Sequence, residues 1–93
     1  PQVLIVPSAS GDPTTPVLLT CHVWGFYPPE VTLGWLRNGV PVELEDVGTF
    51  PVTPSGDWTY QSKVTLEVTP GAGDTFGCLV QHGSLDRPLL QEW

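Results

Sequence analysis

The chain has 93 residues, 40% of them apolar and 14% charged, and a formal net charge of −7 at pH 7. That length allows one domain with a small core. The negative charge disfavours nucleic acid as a partner, because it repels polyphosphates. The apolar runs are short, whereas a membrane-spanning helix needs about 20 consecutive apolar residues. We therefore expect no membrane-spanning helix within these residues.

Short stretches of alternating apolar and polar residues predict β-strands, and no stretch shows the sustained 3.6-residue period of a helix. The clearest stretch runs from Trp58 to Val68, where one face is mostly apolar and the other polar. The same alternation places Cys21, Trp35 and Cys78 on inward faces of their strands. In chain order, the predicted strands are 2–6, 17–23, 31–37, 40–44, 48–53, 58–68, 76–82 and 88–92.

Segments rich in glycine, proline, serine and asparagine separate these strands and predict turns. With seven or eight short strands and no helix to cover a sheet, the sequence indicates an all-β sandwich or small barrel. We find no linker or internal repeat, so residues 1–93 are predicted to form a single domain. The predicted turns are 8–13, 25–29, 38–39, 54–56 and 70–73.

The two cysteines, Cys21 and Cys78, enclose 56 residues. A bridge between them could join strands of opposite sheets and would stabilise the fold by roughly 4 kcal/mol in the chain-entropy model. It would also imply an oxidising compartment. The alternatives are two buried free thiols or half of a metal site. Zinc needs about four ligands at short spacings, which two cysteines and two histidines without such spacing do not supply, so no metal or other cofactor is expected.

The segment around the second cysteine, Phe76-Gly-Cys-Leu-Val-Gln-His82, together with Cys21 and Trp35, resembles the constant-type immunoglobulin domain. That resemblance implies a β-sandwich of about seven antiparallel strands in two sheets, with an inter-sheet disulfide packed on Trp35. One departure concerns the residue two before the second cysteine. It is usually tyrosine in this family, whereas here it is Phe76, so the hydroxyl of the tyrosine corner is missing.

Further segments are similar to the membrane-proximal domain of class II beta chains of the major histocompatibility complex (MHC). These are Gly56-Asp-Trp-Thr-Tyr-Gln61 and the ending Pro88-Leu-Leu-Gln-Glu-Trp93. Within class II, the non-presenting DM-type beta chain has a tryptophan before the Gly-Phe-Tyr-Pro motif, and Trp24 occupies that place here. Gly73-Asp-Thr-Phe-Gly-Cys78 also resembles the DM-type version. A cis Tyr27–Pro28 bond is common at this position in the family and is expected here.

The resemblance implies one domain of a type I membrane protein, with a distal domain, a membrane span and a tail outside residues 1–93. Its partner would be a class II alpha-type chain. The intact DM-type heterodimer would act on peptide-presenting class II molecules in late endosomes or lysosomes, promoting peptide exchange. The alternative is a peptide-presenting beta chain at the cell surface, which would engage the T-helper coreceptor. Since exchange is performed mainly by distal domains, no residue of this chain inherits that role.

Four features carry the remaining hypotheses. Trp24 alternates to the side opposite Cys21, so it is expected to face outward, either as an interface anchor or partly covered by neighbouring strands. His22 and His82 are candidate pH sensors, because a histidine can change its charge between about pH 7 and 5. His82 is interpreted instead as a packed, hydrogen-bonded residue of its strand. The acidic, proline-bearing segment 43–57 is interpreted as a solvated edge. No nucleophile elbow or phosphate loop is present, so the chain is predicted not to be an enzyme.

Overall fold

Two antiparallel sheets face each other in the computed structural model, which describes residues 1–8, 16–69 and 74–93. The predicted turn 70–73, and the predicted turn 8–13 apart from Ser8, lie outside the described residues. Within the described residues the strands are β1 (Gln2–Pro7), β2 (Val17–Phe26), β3 (Val31–Arg37), β4 (Val40–Pro41), β5 (Val47–Thr49), β6 (Thr53–Pro54), β7 (Tyr60–Val68), β8 (Phe76–His82) and β9 (Leu89–Glu92). A short 3-10 turn spans Leu44–Asp46. No helix in these ranges has the length and apolar character needed to span a bilayer.

The first sheet has the order β1-β2-β7-β5, with β6 also paired to β7, and the second has the order β4-β3-β8-β9. The predicted fold class, an all-β sandwich of the immunoglobulin constant type, is confirmed. β1 begins beside Trp24 of β2, while β9 ends beside Gly77 of β8. Pro1 and Trp93 therefore lie at opposite ends of a body whose longest extent is 42 Å.

The core lies between the sheets and is held by one covalent bridge. Cys21 of β2 and Cys78 of β8 form a disulfide with a Cα–Cα distance of 6.3 Å. The predicted inter-sheet bridge is therefore confirmed. Trp35, from the neighbouring strand β3, is only 1% exposed and pairs with Cys78 across the sheet. The other buried apolar residues of the core are Leu19, Val23, Phe26, Val64, Leu66, Val68, Phe76 and Val80.

Strand β2 continues for three residues beyond its predicted end at Val23. It therefore includes the first residues of the predicted turn 25–29. Its pairing with β7 shifts register between Trp24 and Phe26, and Gly25 has φ +72°. A glycine adopts that conformation without the steric cost of a side chain, which permits a bulge. The bulge resets the alternation, so Phe26 points into the core and is 1% exposed, while Trp24 stays outside.

The region from 40 to 54 contains less strand than predicted. The predicted strand 40–44 is only Val40–Pro41, followed by the 3-10 turn. The predicted strand 48–53 is two short strands, β5 and β6, separated by Phe50, Pro51 and Val52. Proline has no N–H to donate, so Pro51 cannot continue a ladder with β7. The acidic residues Glu43, Glu45 and Asp46 are exposed here.

The prediction for the start of the 58–68 strand is wrong. Strand β7 begins at Tyr60, and Trp58 lies in the preceding turn with φ +69° and 91% exposure. The alternating pattern included Trp58 on the inward face because its spacing from Tyr60 fits. A positive φ at Trp58 reverses the direction of the backbone, so the alternation cannot extend back to it.

Candidate interaction surface

The outer face of the first sheet carries several exposed apolar side chains. Cross-strand pairing gives its rows: Gln2, Trp24 and Gln61 lie side by side, and Leu4, His22 and Lys63 form the next row. Farther along the strands, the same face continues with Val6, Thr20 and Thr65, and it ends with Leu18 and Glu67. We call the apolar residues of this surface, all at least 40% exposed, the outer apolar face: Leu4, Val6, Leu18, Trp24 and Phe50.

Trp24 lies at one end of this face. Its side chain points outward, as the alternation in the sequence predicts. It is 40% exposed and lies between Gln2 on β1 and Gln61 on β7. An indole that is partly covered by its own sheet and partly open offers a large apolar area at low conformational cost. Its role as an interface anchor stays a prediction.

Phe50 extends the face from the segment between β5 and β6. The Lys63 ammonium lies 4.4 Å from the centroid of the Phe50 ring, a cation–π distance. Ser62 Oγ–H donates to the Phe50 carbonyl, 3.2 Å away, which fixes the backbone at this point. Phe50, His22 and Lys63 line a shallow groove of about 370 Å³. Lys63 is the basic residue of this surface, whereas the other two basic residues, Arg37 and Arg87, lie elsewhere.

His82 lies inside the domain rather than on this surface. Its ring is 7% exposed and packs edge-on against Phe26, with the ring centroids 5.5 Å apart. Nε2 lies 2.8 Å from the carbonyl oxygen of Pro28, while the Ser84 N–H donates to Nδ1 at 3.1 Å. Since Nδ1 accepts and Nε2 donates, this arrangement corresponds to the neutral Nε2–H tautomer. His82 thus ties the end of β8 to the loop containing Pro28, whose bond to Tyr27 is cis.

A polar cluster joins strand β3 to the segment before β8 at the opposite end of the sandwich. Arg37 Nη2 donates to Asp74 Oδ2 at 2.9 Å, and Asn38 Nδ2 donates to Asp74 Oδ1 at 3.1 Å. Asn38 Oδ1 in turn accepts from the Thr75 N–H at 2.8 Å. The hydrogen bond from Asn38, followed by that from Arg37, lowers the pKa of Asp74 below its usual value of 3.8.

Replacement of Asp74 by asparagine is expected to lower the free energy of unfolding slightly at neutral pH, because the carboxylate loses its charge-assisted partners. A lowered pKa in the folded state stabilises the fold above the unfolded pKa, and this contribution is lost as pH falls through the folded value. The difference between the two proteins should therefore persist at neutral pH and disappear below 3.8. Urea unfolding across this range measures it. A difference that grows in acid would contradict the assignment.

Among the residues that the structure describes, neither a metal site nor a deep cavity accompanies these surfaces. Within residues 1–8, 16–69 and 74–93, no group of three or more histidine, cysteine, aspartate or glutamate side chains is placed to hold a metal ion. The grooves in this part of the chain are open and shallow. The outer apolar face is therefore the strongest candidate site, and its geometry suits a protein surface better than a small molecule.

Two facing antiparallel sheets, joined by a disulfide beside a buried tryptophan, define an immunoglobulin-type sandwich. The chain belongs to the immunoglobulin C1-set domain family, whose pattern matches residues 3–85. Over all 93 residues it is 41% identical to the human HLA class II DM beta chain. It is 42% identical to the human HLA class II DP beta 1 chain and 44% identical to the chicken class II B-L beta chain.

The resemblance to class II beta chains is therefore confirmed. The chain spans 35% of the length of the DM beta chain, 36% of the DP beta 1 chain and 40% of the B-L beta chain. It thus corresponds to between about one third and two fifths of each relative. These identities differ by at most three percentage points, from 41% to 44%, so they do not separate the DM type from the other class II beta chains.

Proposed function

We propose that this domain is the membrane-proximal part of a DM-type class II beta chain. It pairs with an alpha-type chain, and the heterodimer promotes peptide exchange on peptide-presenting class II molecules. The domain itself carries no catalytic residue. It supports the heterodimer and holds it on the lumenal side of a late endosomal or lysosomal membrane, to which a segment outside residues 1–93 anchors it.

The observation that carries this proposal is Trp24 on the outer apolar face. Trp24 precedes the Gly25-Phe-Tyr-Pro28 motif, the place where the DM-type resemblance has tryptophan. The structure puts its indole on a surface where four other apolar side chains are exposed. Aromatic residues that become buried in an interface commonly supply much of its binding energy.

Charge favours a different chain over a second copy as the partner. The domain carries a formal net charge of −7, so two copies repel each other at low ionic strength. Lys63 and Glu67 lie on the same side of the sheet as the outer apolar face and contribute one charge of each sign. Its core can therefore be buried without leaving a group of like charges in the interface, and a less acidic alpha-type domain fits this surface.

A second candidate function is antigen display by a peptide-presenting beta chain. The chain is about as similar to the DP beta 1 and B-L beta chains, at 42% and 44% identity, as to the DM beta chain, so the identities support this function equally. In that case the domain belongs to a cell-surface receptor, and segment 43–57 meets the T-helper coreceptor. This segment is acidic at Glu43, Glu45 and Asp46 and contains Pro51 and Pro54, which fits a solvated edge better than a docking strand.

A peptide-release assay with the full-length heterodimer separates these two functions. A labelled peptide bound to a peptide-presenting class II molecule is followed at about pH 5 and at neutral pH. The DM-type function requires that the heterodimer accelerate peptide release over the spontaneous rate. It should do so at a heterodimer concentration far below the concentration of the peptide-loaded class II molecule. Release at the spontaneous rate would contradict it, and a stably bound peptide on the heterodimer itself would support the second candidate.

Substitution of Trp24 by serine is expected to weaken assembly of the beta-type chain with its alpha-type partner. Loss of a buried aromatic anchor costs about 2 kcal/mol or more, which corresponds to at least roughly 30-fold weaker association. The measurement is the dissociation constant between the complete lumenal parts of the beta-type and alpha-type chains, determined by analytical ultracentrifugation.

The matched control is Leu90→Ser on the outer face of the second sheet. Leu90 is 44% exposed, close to the 40% of Trp24. The control should leave assembly unchanged. If Leu90→Ser weakens assembly and Trp24→Ser does not, the partner binds the opposite sheet.

A further inference from the structure

The tight turn between β3 and β4 contains the only asparagine of the chain, and a glycine follows it directly. Asn38 and Gly39 are exposed, and both have positive φ, +53° and +80°. This conformation favours Asn-Gly in a two-residue turn, so the turn itself accounts for the pair. The same pair is also chemically reactive, because asparagine is a thermolabile residue and glycine leaves the next backbone nitrogen unhindered.

Deamidation of such a pair proceeds through a five-membered ring. The deprotonated backbone nitrogen of Gly39 attacks Cγ of Asn38, the Cγ–Nδ2 bond breaks, and the amide nitrogen leaves as ammonia. Water then opens the succinimide at either carbonyl, which leaves aspartate or isoaspartate in place of asparagine. Water is the only co-reactant, and a neutral amide becomes a carboxylate. The surroundings of Gly39 leave room for the ring, since a Cβ built there would meet no atom within 4 Å outside its chain neighbours.

The carboxamide of Asn38 is held through both of its polar atoms by the segment before β8. Nδ2 donates to Asp74 Oδ1 at 3.1 Å, and Oδ1 accepts from the Thr75 N–H at 2.8 Å. The Asn38 N–H donates to the Thr75 carbonyl at 2.8 Å, which ties the backbone of the turn to the same segment. Rotation of Cγ toward the Gly39 nitrogen turns the amide away from these partners. The bonds to Asp74 and Thr75 must therefore break before the ring can form.

We propose that Asn38-Gly39 is a site of spontaneous deamidation whose rate is set by the opening of the polar cluster around Asp74. Arg37 holds Asp74 from its other carboxylate oxygen, at 2.9 Å, so the acceptor of the Asn38 amide is itself fixed. The closed cluster protects the amide, and each local opening exposes it to attack. The inference goes beyond the proposed function, because the reaction is the same in a DM-type and in a peptide-presenting chain.

The reaction is irreversible and changes the cluster that controls it. In the aspartate product an acceptor oxygen replaces the Nδ2 donor, which lies 3.1 Å from Asp74 Oδ1. Two carboxylates then repel each other where a hydrogen bond was made. The isoaspartate product adds one backbone carbon to the two-residue turn, which disturbs the pairing of Arg37 with Val40. Either product weakens the connection between β3 and the segment before β8 and makes the domain more acidic.

Peptide mapping of the full-length heterodimer after incubation at mildly alkaline pH tests the site. Since Asn38 is the only asparagine of residues 1–93, any loss of asparagine from peptides of this domain reports on Asn38. We expect Asp74→Ala to deamidate about tenfold faster than the wild-type protein, because the amide loses a hydrogen bond to a charged group. The control Asp57→Ala removes the same charge from another turn and should leave the rate unchanged.

The unfolded chain provides the upper limit of the rate, because its carboxamide is not held. The folded wild-type protein should react more slowly than this limit. If the folded and unfolded proteins react equally fast, or if Asp74→Ala reacts no faster than the wild-type protein, the proposal is wrong. Asp74→Asn keeps an acceptor oxygen without the charge and serves where Asp74→Ala does not assemble. Its rate should lie between those of the wild-type protein and the unfolded chain, and a wild-type rate would contradict the role of Asp74.

Discussion

Replacement of both Cys21 and Cys78 by alanine is expected to lower the free energy of unfolding by about 4 kcal/mol. The bridge closes a loop with a sequence separation of 57 residues, and both cysteines are fully buried. Without the bridge, the unfolded chain gains the conformational freedom that the loop removed. The total free energy of unfolding of such a domain is only about 5–15 kcal/mol, so the variant would lose much of its stability. Guanidinium unfolding of the two proteins measures the difference.

Val80→Ala is the control for this experiment, because Val80 is also fully buried but closes no loop. Removal of the bridge should increase the denaturant dependence of unfolding as well as lower stability, since the unfolded chain exposes more surface. Val80→Ala should lower stability with an unchanged denaturant dependence. A loss below about 1 kcal/mol in the double cysteine variant would show that the bridge is strained or that the unfolded chain stays compact without it.

Replacement of Trp35 by alanine is expected to cost about 3–5 kcal/mol, because it leaves a large cavity next to the disulfide. Trp35 is 1% exposed, and β3 places it directly beside Cys78. Trp35→Phe should cost clearly less, for two reasons. Most of the aromatic surface stays, and the substitution removes the buried indole Nε1–H, which has no hydrogen-bond partner among the described residues. Equilibrium unfolding of both variants provides the comparison.

The informative quantity is the ratio of the stability losses measured for Trp35→Phe and Trp35→Ala. If phenylalanine is as damaging as alanine, the indole N–H has a partner in solution, such as a bound water, that the aromatic ring alone cannot replace. If both variants cost little, the core repacks around position 35, and the disulfide rather than Trp35 holds the sheets together.

The strands with long, uninterrupted alternation could be predicted from the sequence almost residue by residue. Strands β3 and β8 have the predicted bounds, 31–37 and 76–82. Their inward residues are fixed by a local property, the period of two. Prediction failed where the backbone leaves that period. The bulge at Gly25 turns Phe26 inward, and the positive φ at Trp58 places that side chain in solvent.

The candidate surface could be predicted only in part, because it depends on cross-strand register. Alternation from Cys21 correctly puts Trp24 outside. It does not show that Leu4 and Val6 of β1 share the same face, or that Phe50 reaches it under Lys63. Those neighbours come from strand pairing, which connects residues far apart in the chain. The same holds for His82, whose partner Pro28 is 54 residues away.

The opposite placement of Pro1 and Trp93 has a mechanical consequence. A force applied through these two residues pulls along the long axis of the sandwich. While the bridge is intact, only the 20 residues before Cys21 and the 15 after Cys78 can be drawn out. The 56 residues between the cysteines, about 190 Å of chain when fully extended, remain locked. Under load the bridge therefore limits how far the domain can lengthen, because only the segments outside the disulfide loop can be extended.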